Sequence, residues 1–156
     1  MMFVLKLKIR KKYVISIAVI ILAAVLLLVI LLSSGGVVPN DSATCDEIGK
    51  FSLVAQTVGG EIGFIKQFGY DVNADSRTSD TVVIPSEFNE IYLEYNTLQR
   101  KMGLNLEDYK GREVKKITYE LENSEEKYAV ILTLQGRVIG AHLTNGEYGA
   151  ENKPLI

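Results

Sequence analysis

One cysteine, Cys45, one histidine, His142, and no tryptophan occur in 156 residues. A single cysteine closes no internal disulfide, so the fold must hold by its packed core. The Cys45 thiol can be free, paired between chains or modified, and the sequence leaves these readings open. A lipid-modified cysteine would follow the apolar region directly, whereas Ser42-Ala43-Thr44-Cys45 stands well downstream of it. A lone histidine among scattered carboxylates has no zinc-ligand spacing. No G-x-S-x-G, H-E-x-x-H, C-x-x-C or phosphate-cradling glycine loop is present, so neither an enzyme nor a cofactor nor a bound metal is expected. Asp71-x-Asn73-x-Asp75 begins like a calcium loop. It lacks the glycine that the sharp turn needs, where Ser76 stands, and the bidentate glutamate, where Val82 stands, so a solvated loop is expected.

Charge is absent from one long stretch. Tyr13 to Leu32 (YVISIAVIILAAVLLLVILL) carries no ionisable acid or base other than its first tyrosine, and Ser16 is its one clearly polar interior residue. A helix of about 20 residues rises roughly 30 Å, the depth of a bilayer's hydrocarbon core. The stretch is too long for a signal-peptide apolar region, and Ser33-Ser34-Gly35-Gly36 makes a poor cleavage site. A single-pass transmembrane helix over residues 13–32 is expected. Residues 1–12 hold Lys6, Lys8, Arg10, Lys11 and Lys12 and no acid. By the positive-inside rule this segment is cytoplasmic and the remainder extracytoplasmic, with the bilayer as first partner. Beyond residue 12 acids outnumber bases, 19 against 12. Such a surface repels phosphate backbones, which argues against nucleic acid. Residues 33–46 (Gly-, Pro- and Ser-bearing) read as a linker, and residues 47–156 as one extracytoplasmic domain.

Within that domain Ile48, Phe51, Val54, Val58, Ile62, Ile65 and Phe68 recur at three or four residues. They predict helix over residues 46–68, either continuous or broken at Gly59-Gly60. Tyr70–Val72 and Thr81–Ile84 are short strand candidates around a polar loop, and Pro85 with Ser86 opens a helix over residues 87–102. Phe88, Ile91, Tyr92, Tyr95, Leu98 and Met102 form its stripe, with acids in its first turn and bases in its last. Three strands follow. Ile117, Tyr119 and Leu121 alternate with polar residues, residues 128–134 are apolar on both faces, and Gln135-Gly136 turns the chain into residues 137–143. The fold class expected is α+β, an antiparallel three- to four-stranded meander with the helix near 87–102 across its apolar face.

Several short pieces stand in a fixed order: Phe64-Ile65-x-x-Phe68-Gly69-Tyr70-x-Val72, Val83-Ile84-Pro85-x-x-Phe88-Asn89 and Tyr95-Asn96-x-Leu98-Gln99. Gly103-Leu104-x-Leu106-x-x-Tyr109-Lys110-Gly111, Thr118-Tyr119 and Val138-Ile139-Gly140 follow. This order resembles an uncharacterised domain-of-unknown-function family of small, membrane-anchored proteins of Gram-positive, spore-forming anaerobes. The family pattern implies Trp where Tyr70 stands, and Gly and an acid where Ala141 and His142 stand. The resemblance implies an extracytoplasmic module and transfers no activity.

The reading is therefore a non-catalytic module for a protein or peptide partner outside the cell. Its groove would lie between the helix and the sheet, lined by Tyr92, Tyr95, Gln99 and Tyr109. Two other classes are a membrane-complex subunit assembled through residues 13–32, and an envelope enzyme using His142 with a carboxylate within about 3 Å.

Overall fold

The computed structural model describes residues 20–26, 37–147 and 149–156. It divides into two units, Met1–Gly36 and Val37–Ile156. In the first, residues 20–26 are helical and Ile20, Ile21, Leu22, Val25 and Leu26 are exposed. The rest of the 13–32 span, the basic segment 1–12 and the start of the linker lie outside the described residues. Among the described residues no helix is long and apolar enough to cross a membrane.

The second unit opens on a hairpin of β1 (Ser42–Cys45) and β2 (Gly49–Ser52). This corrects two expectations: the linker does not run to residue 46, and residues 46–57 are not helical. The alternation explains it. Phe51, Leu53 and Ala55 are buried while Lys50, Ser52, Val54 and Gln56 are exposed, a period of two rather than 3.6. Ile48, Val54 and Val58, which lent the segment its helical spacing, are exposed. Cys45 is buried in the core rather than held in a stalk.

Helix α1 (Val58–Lys66) begins where Thr57 Oγ1 accepts from the Gly60 amide at 3.2 Å. Gly59-Gly60 thus form its first turn instead of breaking a longer helix. A Cβ on Gly60 would sit 3.3 Å from Ala55 Cα, so the glycine admits the tight entry.

A single strand, β3 (Asp71–Val83), replaces the two short candidates and their loop. It pairs with β4 at Asp71–Asn73 and at Thr78–Val83, and residues 74–77 bulge opposite Tyr119. The polar bulge stays in the ladder because side chains substitute for backbone. Ser76 Oγ accepts from the Glu120 amide at 2.8 Å and donates to the Asn73 carbonyl at 2.6 Å.

Helix α2 (Glu90–Lys101) starts later than expected, capped by Asn89 rather than Ser86; Asn89 Oδ1 accepts from the Tyr92 amide at 2.9 Å. Gly103, at φ +71°, ends it against β1, where a Cβ would lie 2.3 Å from the Thr44 carbonyl. A 3-10 turn (Leu106–Tyr109) leads to β4 (Glu113–Glu122), β5 (Tyr128–Leu134) and β6 (Arg137–Thr144). The sheet is an antiparallel meander in the order β3-β4-β5-β6. Gln135 and Gly136, at φ 51° and 73°, make the β5–β6 hairpin as their sequence predicts.

Both sheet faces are covered. Ile117, Tyr119, Ile131, Ala141 and Leu143 pack with Phe51, Leu53, Phe64 and Ile65. Val114, Leu132 and Ile139 pack with Ile84, Leu106 and Tyr109, joined by Phe88, Tyr92 and Tyr95. The face expected to receive the 87–102 helix is therefore filled by the hairpin and α1. Helix α2 lies beside β6 instead, sending its aromatic residues to the second cluster and Leu98 and Met102 to the first.

Candidate functional site

The stripe of α2 divides by depth. Phe88, Tyr92 and Tyr95 are half-buried and stack in a ladder with ring centroids 4.6 and 5.7 Å apart; Lys110 Nζ sits 4.5 Å over Phe88. The ladder continues to His142, 5.3 Å from Tyr95 in an edge-to-face arrangement. Tyr95 Oη and His142 Nδ1 are 2.8 Å apart. Burial, reinforced by Lys116, lowers the imidazole to about 4, so it is neutral at pH 7. Burial also raises the Tyr95 phenol. The ring partner of His142 is thus a phenol, and both groups are in their neutral forms.

The residues expected to line one groove are not equivalent. Gln99 is fully buried, and its Oε1 accepts from the Ala141 amide at 2.7 Å. It is an internal cap on the outer edge of β6. Its position is tight: a Cβ on Gly140 would approach Gln99 Oε1 to 3.3 Å and Leu106 Cδ2 to 3.1 Å. Tyr109 is also buried, in the second cluster. Only Tyr92 and Tyr95 retain partial exposure. Tyr95 lines a cleft of about 350 Å³ on the flank of α2, with Ile91, Leu98, Lys101 and Asn152. Ile91 there is 75% exposed.

A second polar constellation escaped the sequence reading. The bulge in β3 turns Arg77 inward to a bidentate contact with Glu61 of α1, Nε to Oε2 at 2.7 Å and a terminal nitrogen to Oε1 at 3.0 Å. Tyr119 donates to Glu61 Oε2 at 2.6 Å. Burial pushes the Glu61 carboxyl up, but the hydrogen bonds from Arg77 and Tyr119 outweigh it and hold the group below its ordinary value. Arg77 is raised in turn, chiefly by its bond to Glu61, and Tyr119 is raised by burial and by Glu61. One signal was available: Glu61 precedes Ile65 by four positions and so shares the buried face of α1. Its partners, 16 and 58 residues away, leave no local trace.

The network borders a cleft of about 340 Å³ whose walls include Gln56, Thr81, Glu113, Lys115 and Gln135. The Asp71-x-Asn73-x-Asp75 segment is spent on the strand and its bulge, with Asn73 Oδ1 accepting from the Asp75 amide at 3.0 Å. No cluster of three metal-ligating side chains occurs among the described residues.

Residues 64–143, more than half of the chain, match a family described as Domain of unknown function (DUF4830). The chain belongs to that family. The matched span runs from within α1 to Leu143 of β6, so it holds β3 to β5, all but the last residue of β6, α2, Arg77 and Tyr119. Glu61 and the β1–β2 hairpin precede it. No curated protein and no solved structure matches the chain.

Proposed function

We propose that this member of the DUF4830 family is a single-pass membrane protein whose folded unit stands outside the cell as a non-catalytic module for a protein or peptide. The binding reading is carried by one observation. Ile91, 75% exposed, lines with Tyr95 and Leu98 the apolar part of a cleft on α2 that Glu94, Lys101 and Glu151 rim with charge. An exposed aliphatic side chain beside such a cleft gains by being covered. Two further features support the rest. The exposed apolar side chains of residues 20–26 suit a bilayer. Glu61, buried, and His142, half-buried, are engaged by Arg77, Tyr119 and Tyr95 in structural bonds.

The test is cross-linking from native membranes with the full chain and with Ile91→Glu. The variant should melt with the parent and lose the partner that the parent recovers. Recovery of the same partner by Ile91→Glu would move the surface elsewhere. Protease added to intact, wall-permeabilised cells should remove the folded unit, and its protection would reverse the orientation.

A further inference from the structure

The two outer edges of the sheet are finished differently, and the difference points to a self-pairing surface. The ladder's parity identifies which backbone groups face outward. Leu121 donates to the Lys127 carbonyl, and the Glu120 amide turns the other way to Ser76. In β4, odd-numbered residues therefore face β5 and even-numbered ones face β3. Ile84 likewise donates toward Arg112. It follows from the register that Thr78, Asp80 and Val82 of β3 face β4, while Ser79, Thr81 and Val83 present N–H and C=O groups outward. Among the described residues none of these outward groups has a hydrogen-bond partner, and all three residues are exposed, Val83 by 61%.

We propose that this edge is completed by the same edge of a second copy, in an antiparallel pair about a two-fold axis at Thr81. The occupant is argued from self-complementarity, which an isologous contact requires. With the axis at Thr81, Ser79 faces Val83 of the partner and Thr81 faces its own counterpart, each residue donating and accepting one backbone bond. Asp80 falls opposite Val82, so no acid directly faces an acid, and within the chain its cross-strand neighbour is Lys116. Asp71, and Asp75 within the bulge at residues 74–77, lie outside the stretch that would pair. Val83 loses its exposure against Ser79 of the partner. The contact is small, so the dimer is reversible rather than obligate. This goes beyond the proposed module, because the α2 cleft takes no part in it.

The experiment measures the mass of the full chain in detergent micelles from about 1 to 500 µM, the range of a small reversible contact. It compares the parent with Thr81→Pro, Thr81→Cys and a distant control, Glu125→Cys. Proline is tolerated on an edge where the N–H faces solvent, so Thr81→Pro should fold and weaken dimerisation at least about tenfold. Backbones in such a pair approach to about 5.5 Å, within disulfide reach. Oxidised Thr81→Cys should therefore give a covalent dimer and Glu125→Cys should not. Cys45, buried, does not compete. A parent that stays monomeric overturns the proposal. So does a dimer undiminished in Thr81→Pro, which would assign assembly to another surface, the apolar N-terminal segment included. A monomer that still recovers a partner through Ile91 would leave the proposed function standing and this inference refuted.

Discussion

The edges of β6 and β3 bound the same sheet and are treated in opposite ways. Along β6 three outward amides, from the hairpin end to the far end, are used. Val138 donates to the Leu53 carbonyl at 2.8 Å, Ala141 to Gln99 Oε1 at 2.7 Å, and Leu143 to the Lys153 carbonyl at 2.8 Å. A loop, a helix side chain and the C-terminal tail share the task. Along β3 the outward groups of Ser79, Thr81 and Val83 meet no such cover among the described residues. An uncovered edge is a pairing template. The lesson is that edge protection is assembled from distant pieces, and its absence on one side is as informative as its presence on the other.

The largest effect is expected where β3 is held to the body. Arg77→Ala would leave the Glu61 carboxylate buried without its cation, at a cost of about 3–5 kcal/mol in chemical denaturation. A loss below about 1 kcal/mol would mean that Glu61 is solvated in solution.

Next comes one substitution made on both edges. Ala141→Pro removes the donor that Gln99 Oε1 accepts from and leaves that fully buried amide with no partner for its oxygen. About 3 kcal/mol or more is expected. Thr81→Pro removes an N–H that faces solvent in the monomer, and about 1 kcal/mol or less is expected under dilute conditions. Equal losses for the two would erase the distinction between the edges.

The β6 side also carries a pH signature. His142 is lowered to about 4, against an ordinary value near 6.5. Below about pH 6.5 the unfolded chain binds a proton that the folded chain refuses, so stability falls as pH drops toward 4. At roughly 1.4 kcal/mol per unit the loss reaches about 2–3 kcal/mol. Glu61, held below its ordinary value, adds to the loss only as pH falls through the carboxylate range. His142→Gln should flatten the interval from pH 6.5 to 4.5, measured by denaturant midpoint. An unchanged slope would place the titration elsewhere.

Much of the sheet was legible in the sequence. Strict alternation along Ile117, Tyr119 and Leu121, the two-faced apolar run 128–134 and the Gln135-Gly136 turn give strands β4 to β6 directly. The hairpin of β1 and β2 was not legible, because Phe51, Val54 and Val58 happen to fall at helical spacing. Gln99 was placed with Tyr92 and Tyr95 in the expected groove, and the sequence did not tell what it meets. A groove wall and an edge cap look alike until Ala141, 42 residues away, is in place. The Glu61–Arg77–Tyr119 network was hidden for the same reason.

The most direct test of the contrast is amide hydrogen exchange on the full chain at several concentrations. The amides of Val138, Ala141 and Leu143 should be strongly protected at every dilution. Those of Ser79, Thr81 and Val83 should exchange freely at low micromolar concentration and gain protection as concentration rises. Strong protection of all six at every dilution would contradict the account, because β3 would then be covered within its own chain.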